Sequence, residues 1–320
     1  NMGLGIMSYI MLAYFLVETE TFSGSRAFLN PEAYPKFGLL ACFLIIIFGL
    51  VSSLSTHKYI PEMVEPERKA FKFSEFWKEI FESLSNRNWL VLFIGGTILA
   101  LNIGIFSSLD NYFSIYFWQW TPSDIQIFPT VAALSVIISA ALAGPLAKGR
   151  EKKNIAVGIF LTTIIVGPLP VVLRLLDPYF EVTLLPANGT DFLWWILLSH
   201  YVFETCLGSL GFIFIGSMVM EIVEDVERTT GRREEGLLGT VSSFIHKLIG
   251  AGGVFISGII ISSVGFDISS GATIEELTGP IINQFATIHV IFAATLPLIS
   301  TALVLLYKID RKDHLGNVED

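Results

Sequence analysis

Apolar residues fall in eight long unbroken blocks, at about residues 1–17, 37–56, 89–117, 125–147, 154–176, 192–222, 237–264 and 285–307, with short polar stretches between them. Each block is close to the roughly 20 residues that a helix rising about 1.5 Å per residue needs to cross a hydrocarbon layer. A run such as Leu39-Leu40-Ala41-Cys42-Phe43-Leu44-Ile45-Ile46-Ile47-Phe48 shows no alternation of polar and apolar positions, whereas strands of a membrane barrel alternate over about ten residues. Helices pair every backbone group within the segment, as the water-free bilayer demands. The pattern therefore predicts an all-α polytopic transmembrane bundle. Between the second and third blocks, Phe76, Trp77, Ile80, Phe81 and Leu84 share one face of residues 74–84, which predicts an amphipathic helix lying along the membrane surface.

Composition supports this: 52% of residues are hydrophobic and 15% charged, with a mean hydropathy of +0.65, against about 25% charged in soluble domains. Cys42 and Cys206 both lie inside spans, which excludes a disulfide framework or a thiolate metal cluster. The net charge of −9 matters less than where the charges sit. The segments 57–88, 148–153, 228–233 and 308–320 hold 6, 4, 3 and 3 of the 20 Lys and Arg residues. Arg26, Lys36 and Arg174 are the basic residues at the opposite ends of the spans, and Lys247 sits inside one. By the positive-inside rule both ends of the chain are cytoplasmic, as an even number of crossings requires.

The chain opens directly in an apolar span without a basic flank or signal-peptide pattern, so a truncation is expected there. The longest basic connection precedes the last six spans. This organisation divides the chain into two helices in residues 1–56, a central linker at 57–88, a six-helix bundle at 89–307 and a tail at 308–320. The sharpest local pattern is Glu221-Ile222-Val223-Glu224-Asp225-Val226-Glu227-Arg228-Thr229-Thr230-Gly231-Arg232-Arg233-Glu234-Glu235-Gly236, followed by Lys247 and Gly250-Ala251-Gly252-Gly253.

That pattern resembles the glycoside-pentoside-hexuronide cation symporters, the melibiose-carrier-like group of the major facilitator superfamily. In that group an acidic stretch and a Thr-Gly-Arg-Arg-x-Glu-Gly turn join the penultimate helices, and a lysine is embedded in the next span. Glu221 stands where the family usually has Asp, and Glu224-Asp225 where it has Asp-Tyr. The resemblance implies twelve helices, eight of them present here and about four ahead of residue 1, in a bacterial inner membrane. It also implies symport of a sugar or glycoside with Na⁺, Li⁺ or H⁺, the cation held mainly by the missing helices, and a contribution of Lys247 to the sugar pathway.

The residues suggest roles of their own. Glu221, Glu224, Asp225, Glu227 and Glu235 beside Arg228, Arg232 and Arg233 can form reversible carboxylate-guanidinium pairs, which a gate that opens alternately to either side requires. A plain solvated loop obeying the charge rule is the other reading. Lys247 lies about 16 Å into its span, where an ammonium costs about 2.5–3.5 kcal/mol unless a polar cavity or a partner receives it. Glu204 reaches similar depth on the preceding span, so a structural ion pair between them competes with a role in a solute pathway. His200 and Glu204 are four apart and share a face. Asn102, Asp110 and Asn111 offer donors and acceptors suited to solute hydroxyls. His246 and His289 read as packed or interfacial, since no metal-ligand spacing accompanies them.

Trp89, Trp118, Trp120, Trp194 and Trp195 lie at span ends, where aromatic belts form. Gly253 with Ser257, and Gly258 with Ser262, have the small-x-x-x-small spacing of close helix contacts. Pro145, Pro168, Pro170 and Pro297 can open spans and free carbonyls. The expected function is cation-coupled transport of a small solute by a monomer in the lipid bilayer, with no cofactor, bound metal or nucleic-acid partner. A carrier of another solute, such as a lysolipid, and a non-transporting membrane scaffold are the alternatives. An enzyme is not expected, because no catalytic constellation is visible.

Overall fold

A computed structural model describes residue 27 and residues 30–62, 85–230, 235–265 and 279–308. The expected first span at 1–17, the surface helix at 74–84 and the tail from 309 lie outside the described residues. In chain order the helices are α1 (Ala33–His57), α2 (Arg87–Tyr112), α3 (Pro122–Ile125), α4 (Phe128–Ala147), α5 (Lys152–Val166), α6 (Leu169–Leu176), α7 (Asp191–Thr230), α8 (Glu235–Val264) and α9 (Gly279–Val304). Seven helical segments among the described residues are long and apolar enough to cross a membrane. They match the second to eighth predicted spans.

The described residues up to 62 and those of 120–130 belong to one compact unit, and those of 85–119 and from 131 onward to a second. In the first, Leu39, Phe43, Ile46 and Leu54 of α1 are all exposed, as an apolar helix with lipid for solvent would have them. Short α3 opens with the Asp124 carboxylate accepting the backbone N–H of Thr121 at 2.7 Å.

The second unit is built around α2. Asn86 caps it, its side-chain oxygen accepting the N–H groups of Asn88 and Trp89 at 2.9 and 3.1 Å and so filling the orphan donors of the first turn. α8 and α9 pack on α2, while α5 packs on α7 and α9. Lipid supplies no hydrophobic drive between helices, so close backbone approach has to hold them. A Cβ on Gly104 of α2 would collide with the Gly250 carbonyl of α8, and one on Gly253 would lie 2.5 Å from the Leu101 oxygen. Gly253 and Ser257 are buried in this crossing, while Gly258 and Ser262 are exposed. Among the described residues, only the first of the two predicted small-residue pairs is therefore a helix contact.

The apolar core lies toward the end where Lys148, Lys152, Lys153 and Arg228 gather. There Trp89, Ile159, Phe214, Met218, Ile222 and Tyr307 bring α2, α5, α7 and the end of α9 together. Trp89 stacks on Phe93 with centroids 4.5 Å apart, and Trp118 is buried as well. These two span-end tryptophans pack inside the protein, whereas Trp195 is exposed as a belt residue would be.

Two chain features shape the site. The span that begins with α5 breaks at Gly167-Pro168 and resumes as α6, because Pro168 and Pro170 have no N–H to give the preceding turn. By contrast α7 is continuous over 40 residues, running past the predicted span end at 222 and carrying Glu221 to Arg228 on helical backbone.

At the end opposite the lysines, Arg174 organises residues 177–190. Its guanidinium pairs with Asp177 at 3.2 Å, reaches the Pro186 carbonyl and the Asn188 side-chain oxygen at 2.5 and 3.1 Å, and lies over the Trp118 ring. A basic residue on the sparsely charged side thus has a structural task. Arg174→Ala is expected to cost about 1.5–3 kcal/mol and to speed hydrogen exchange across 177–190. Arg174→Lys should rescue little, since an ammonium lacks the planar fork. Asn188 of the Asn188-Gly189-Thr190 triplet also donates to the Phe117 carbonyl at 2.8 Å, so both ends of its amide are engaged.

Candidate functional site

Two groups of polar side chains stand out in the second unit. The first is a clasp at the lysine-rich end. Glu221, 8% exposed, pairs with Lys152 at 2.7 Å. Its second oxygen accepts the Tyr307 hydroxyl at 3.0 Å, while Lys153 donates to the Tyr307 carbonyl at 2.8 Å. Burial, then the adjacent Glu221 charge, pushes the Tyr307 phenol above its usual range, so it stays a hydrogen-bond donor. Nearby, Asn86 donates to Asp225 at 3.3 Å, and the Asn88 oxygen accepts the Lys308 N–H at 3.0 Å. The starts of α2 and α5, the lower part of α7 and the end of α9 are thereby fastened to one another.

This clasp uses the predicted acidic residues with partners that the sequence pattern did not supply. Glu221 meets Lys152 of another connection instead of an arginine of its own, and Arg228 lies 3.8 Å from Asp225 within the same helix. Glu224 and Glu227 are exposed. Arg232, Arg233 and the Glu235 side chain lie outside the described residues. Lys152, Lys153, Tyr307 and Asn86 escaped the sequence reading. The paired lysines of the 148–153 connection were the available signal, but nothing in one sequence reveals which helix end they face.

The second group lies within the span region, where the α5–α6 break meets α7. Residue 170 is proline, so the Val166 carbonyl has lost its helical donor, and His200 Nε2 lies 2.8 Å from it. His200 Nδ1 is 3.9 Å from Glu204 Oε2. The other oxygen of Glu204 rests against Gly167, where an added Cβ would come within 3.1 Å of it. Tyr201 hydrogen-bonds Thr205, and Asp110 of α2 is near enough to act electrostatically on both Tyr201 and Glu204. His200, Glu204 and Asp110 are therefore brought together. Asn111, the next residue of α2, is exposed.

Lys247 stands apart. It is exposed and, among the described residues, makes no ion pair, while Glu204 pairs with His200. α8 packs on α2 and α9, so similar depth did not make Lys247 and Glu204 partners. The surface of α8 explains where the lysine lies. Gly253, Ser257, Ile260 and Val264 are buried; Phe244, Leu248, Phe255 and Ile259 form a large apolar exposed lane. Between these faces runs an exposed lane of Thr240, Ser243, Lys247, Ala251, Val254, Gly258 and Ser262, mostly small or polar and placed there by the i, i+3, i+4 repeat. The side-chain oxygen of Asn102, midway along α2, is buried and has no hydrogen-bond partner among the described residues, and the same holds for His246 Nε2 and His289 Nδ1. The histidines are packed, His289 between Phe106 and Phe113 and His246 against Phe93.

A carboxylate, an imidazole and an ammonium inside bilayer-length helices are costly in hydrocarbon and are retained where water or a solute reaches them. Such placement, in helices that include a broken span, marks a polytopic membrane transport protein. The sequence profile of the family described as MFS/sugar transport protein matches residues 1–311, and the chain belongs to that family. No match is found among curated proteins.

Proposed function

We infer that this protein is a secondary active transporter that moves a sugar or glycoside together with a cation by alternating access. The observation that carries this reading is the lane on α8: Lys247 is exposed at mid-span in a lane of mainly small and polar side chains, beside the phenylalanine and leucine lane suited to lipid. An ammonium there has hydroxyl-rich solute or water as its natural partner. The unfilled Asn102 oxygen accepts from the same kind of ligand, and His200, Glu204, Asp110 and Asn111 extend the polar pathway. The lysine-rich end is cytoplasmic by its charge, and the clasp around Glu221 with Asp225 and Arg228 closes it as a gate. The protein acts as a monomer in a bacterial plasma membrane.

Radiolabelled sugar uptake by proteoliposomes holding the complete protein, under imposed Na⁺, Li⁺ or H⁺ gradients, tests this. Uphill accumulation with one of the cations is expected; uptake of a lysolipid instead, or of nothing, would overturn it. Lys247→Ala should weaken sugar binding by about ten- to hundred-fold, the worth of charged hydrogen bonds to hydroxyls, while leaving expression unchanged. Lys247→Ala with wild-type affinity would remove the residue from the pathway.

A further inference from the structure

The break between α5 and α6 does more than interrupt a span. A carbonyl oxygen only accepts, so the 2.8 Å contact between His200 and Val166 requires the hydrogen of the ring to be on Nε2. Nδ1 is then left either bare or newly protonated, and it points toward Glu204 at 3.9 Å. A bare ring nitrogen and a carboxylate have no hydrogen to share and repel one another. One added proton, on the imidazole or on the carboxyl group, turns the same pair into a donor and an acceptor.

Few other charged groups surround the pair. α5 and α6 bring no ionisable side chain between residues 154 and 173, and α4 brings none at all; Arg174 at the far end of α6 is engaged with Asp177, Pro186 and Asn188, and the histidine of α9, which packs on α5 and α6, is His289, held between Phe106 and Phe113. From α7 the neighbouring groups are Tyr201, bonded to Thr205, and Cys206, whose thiol donates to the Ser135 carbonyl of α4 at 3.5 Å. From α2 the neighbour is Asp110, a second carboxylate. Two acids and one histidine thus meet, with no lysine or arginine among the described groups acting on them.

We propose that His200 and Glu204 together bind one proton beside the Val166 carbonyl that Pro170 leaves free, and that its arrival and departure tighten and loosen the break between α5 and α6. The reaction is addition of a solvent proton to the Nδ1 lone pair, or equivalently to the Glu204 carboxylate. An imidazolium donates to Val166 more strongly than a neutral ring, since charge-assisted hydrogen bonds are roughly twice as strong. It also draws Glu204 inward against Gly167. Protonation therefore fastens α7 to the proline break. This deepens the reading of the protein as a cation-coupled transporter and rests on it, supplying the proton as the cation.

The test uses the complete protein in detergent, labelled with ¹⁵N-histidine and titrated with acid. Wild type should show a His200 ring with hydrogen on Nε2 that becomes doubly protonated on acidification. Hydrogen exchange across residues 163–172, corrected for intrinsic rates, should slow about five- to ten-fold over the same range. His200→Gln keeps a donor for Val166, and Glu204→Gln keeps the shape beside Gly167, so both should fold while losing the acid-linked protection. Asp124→Asn should retain it. A ring with hydrogen on Nδ1, or unchanged acid-linked protection in both glutamine variants, overturns the proposal. Proton-driven sugar accumulation that collapses to downhill equilibration in Glu204→Gln supports it, and accumulation that persists there overturns it. If wild type takes up no sugar at all, the transport reading fails, while the histidine titration and its linked protection still decide the site.

Discussion

Glu221→Ala is expected to destabilise the protein by about 2–3 kcal/mol, read as a lowered midpoint of thermal unfolding in detergent. The substitution leaves the Lys152 ammonium without its counter-charge and the buried Tyr307 hydroxyl with only its longer bond, to the Met218 carbonyl at 3.3 Å. Stranding one member of a buried pair costs about 3–5 kcal/mol. The lower figure applies because the Lys152 side chain is 30% exposed and can turn toward water, and because the phenol keeps the Met218 carbonyl as an acceptor. Glu221→Gln separates the two contributions, since its amide oxygen still accepts from Tyr307. Tyr307→Phe should cost about 1 kcal/mol. A double-mutant cycle with Lys152→Met measures the pair itself, and a coupling energy near zero would show that the clasp is surface decoration.

Gly104→Ala is the second large effect expected. The added methyl group has no side chain to push aside, because the Gly250 backbone carbonyl occupies its place. α2 and α8 would have to separate along their length, at a cost above the about 1–3 kcal/mol typical of overpacking. Loss of monodisperse protein on size-exclusion chromatography is the expected readout, with Gly253→Ala behaving alike. Gly252→Ala meets open space and serves as the tolerated control. Wild-type behaviour of Gly104→Ala would mean that the crossing is looser than the structure shows.

The spans were legible because length and apolarity are properties of a segment by itself. Depth was legible for the same reason, and it placed Lys247, Glu204 and Asn102 well inside their helices. Azimuth was not, and this is why the ion pair of Lys247 with Glu204, the alternative to a role in a solute pathway, does not form among the described residues: two residues can share a level in the bilayer on helices that are not neighbours. The Gly253–Ser257 contact could be read from spacing, yet its partner Gly104 could not, since a single sequence does not say which helix supplies the opposing groove. Pro168 and Pro170 announced a break. The histidine that fills the vacated acceptor sits on another span, and only coordinates join the two. The acidic run at 221–227 was visible as charge, whereas its counter-ion Lys152 belongs to a distant connection.

The uninterrupted 40 residues of α7 make a rod about 60 Å long, roughly twice the hydrocarbon thickness. Glu204 and Glu221 are both mounted on it, about 25 Å apart along its axis. Pivoting this lever by about 5° near Glu204 would swing Glu221 by about 2 Å, enough to part it from Lys152. A slight tilt at mid-membrane is thereby converted into unlatching at the far tip.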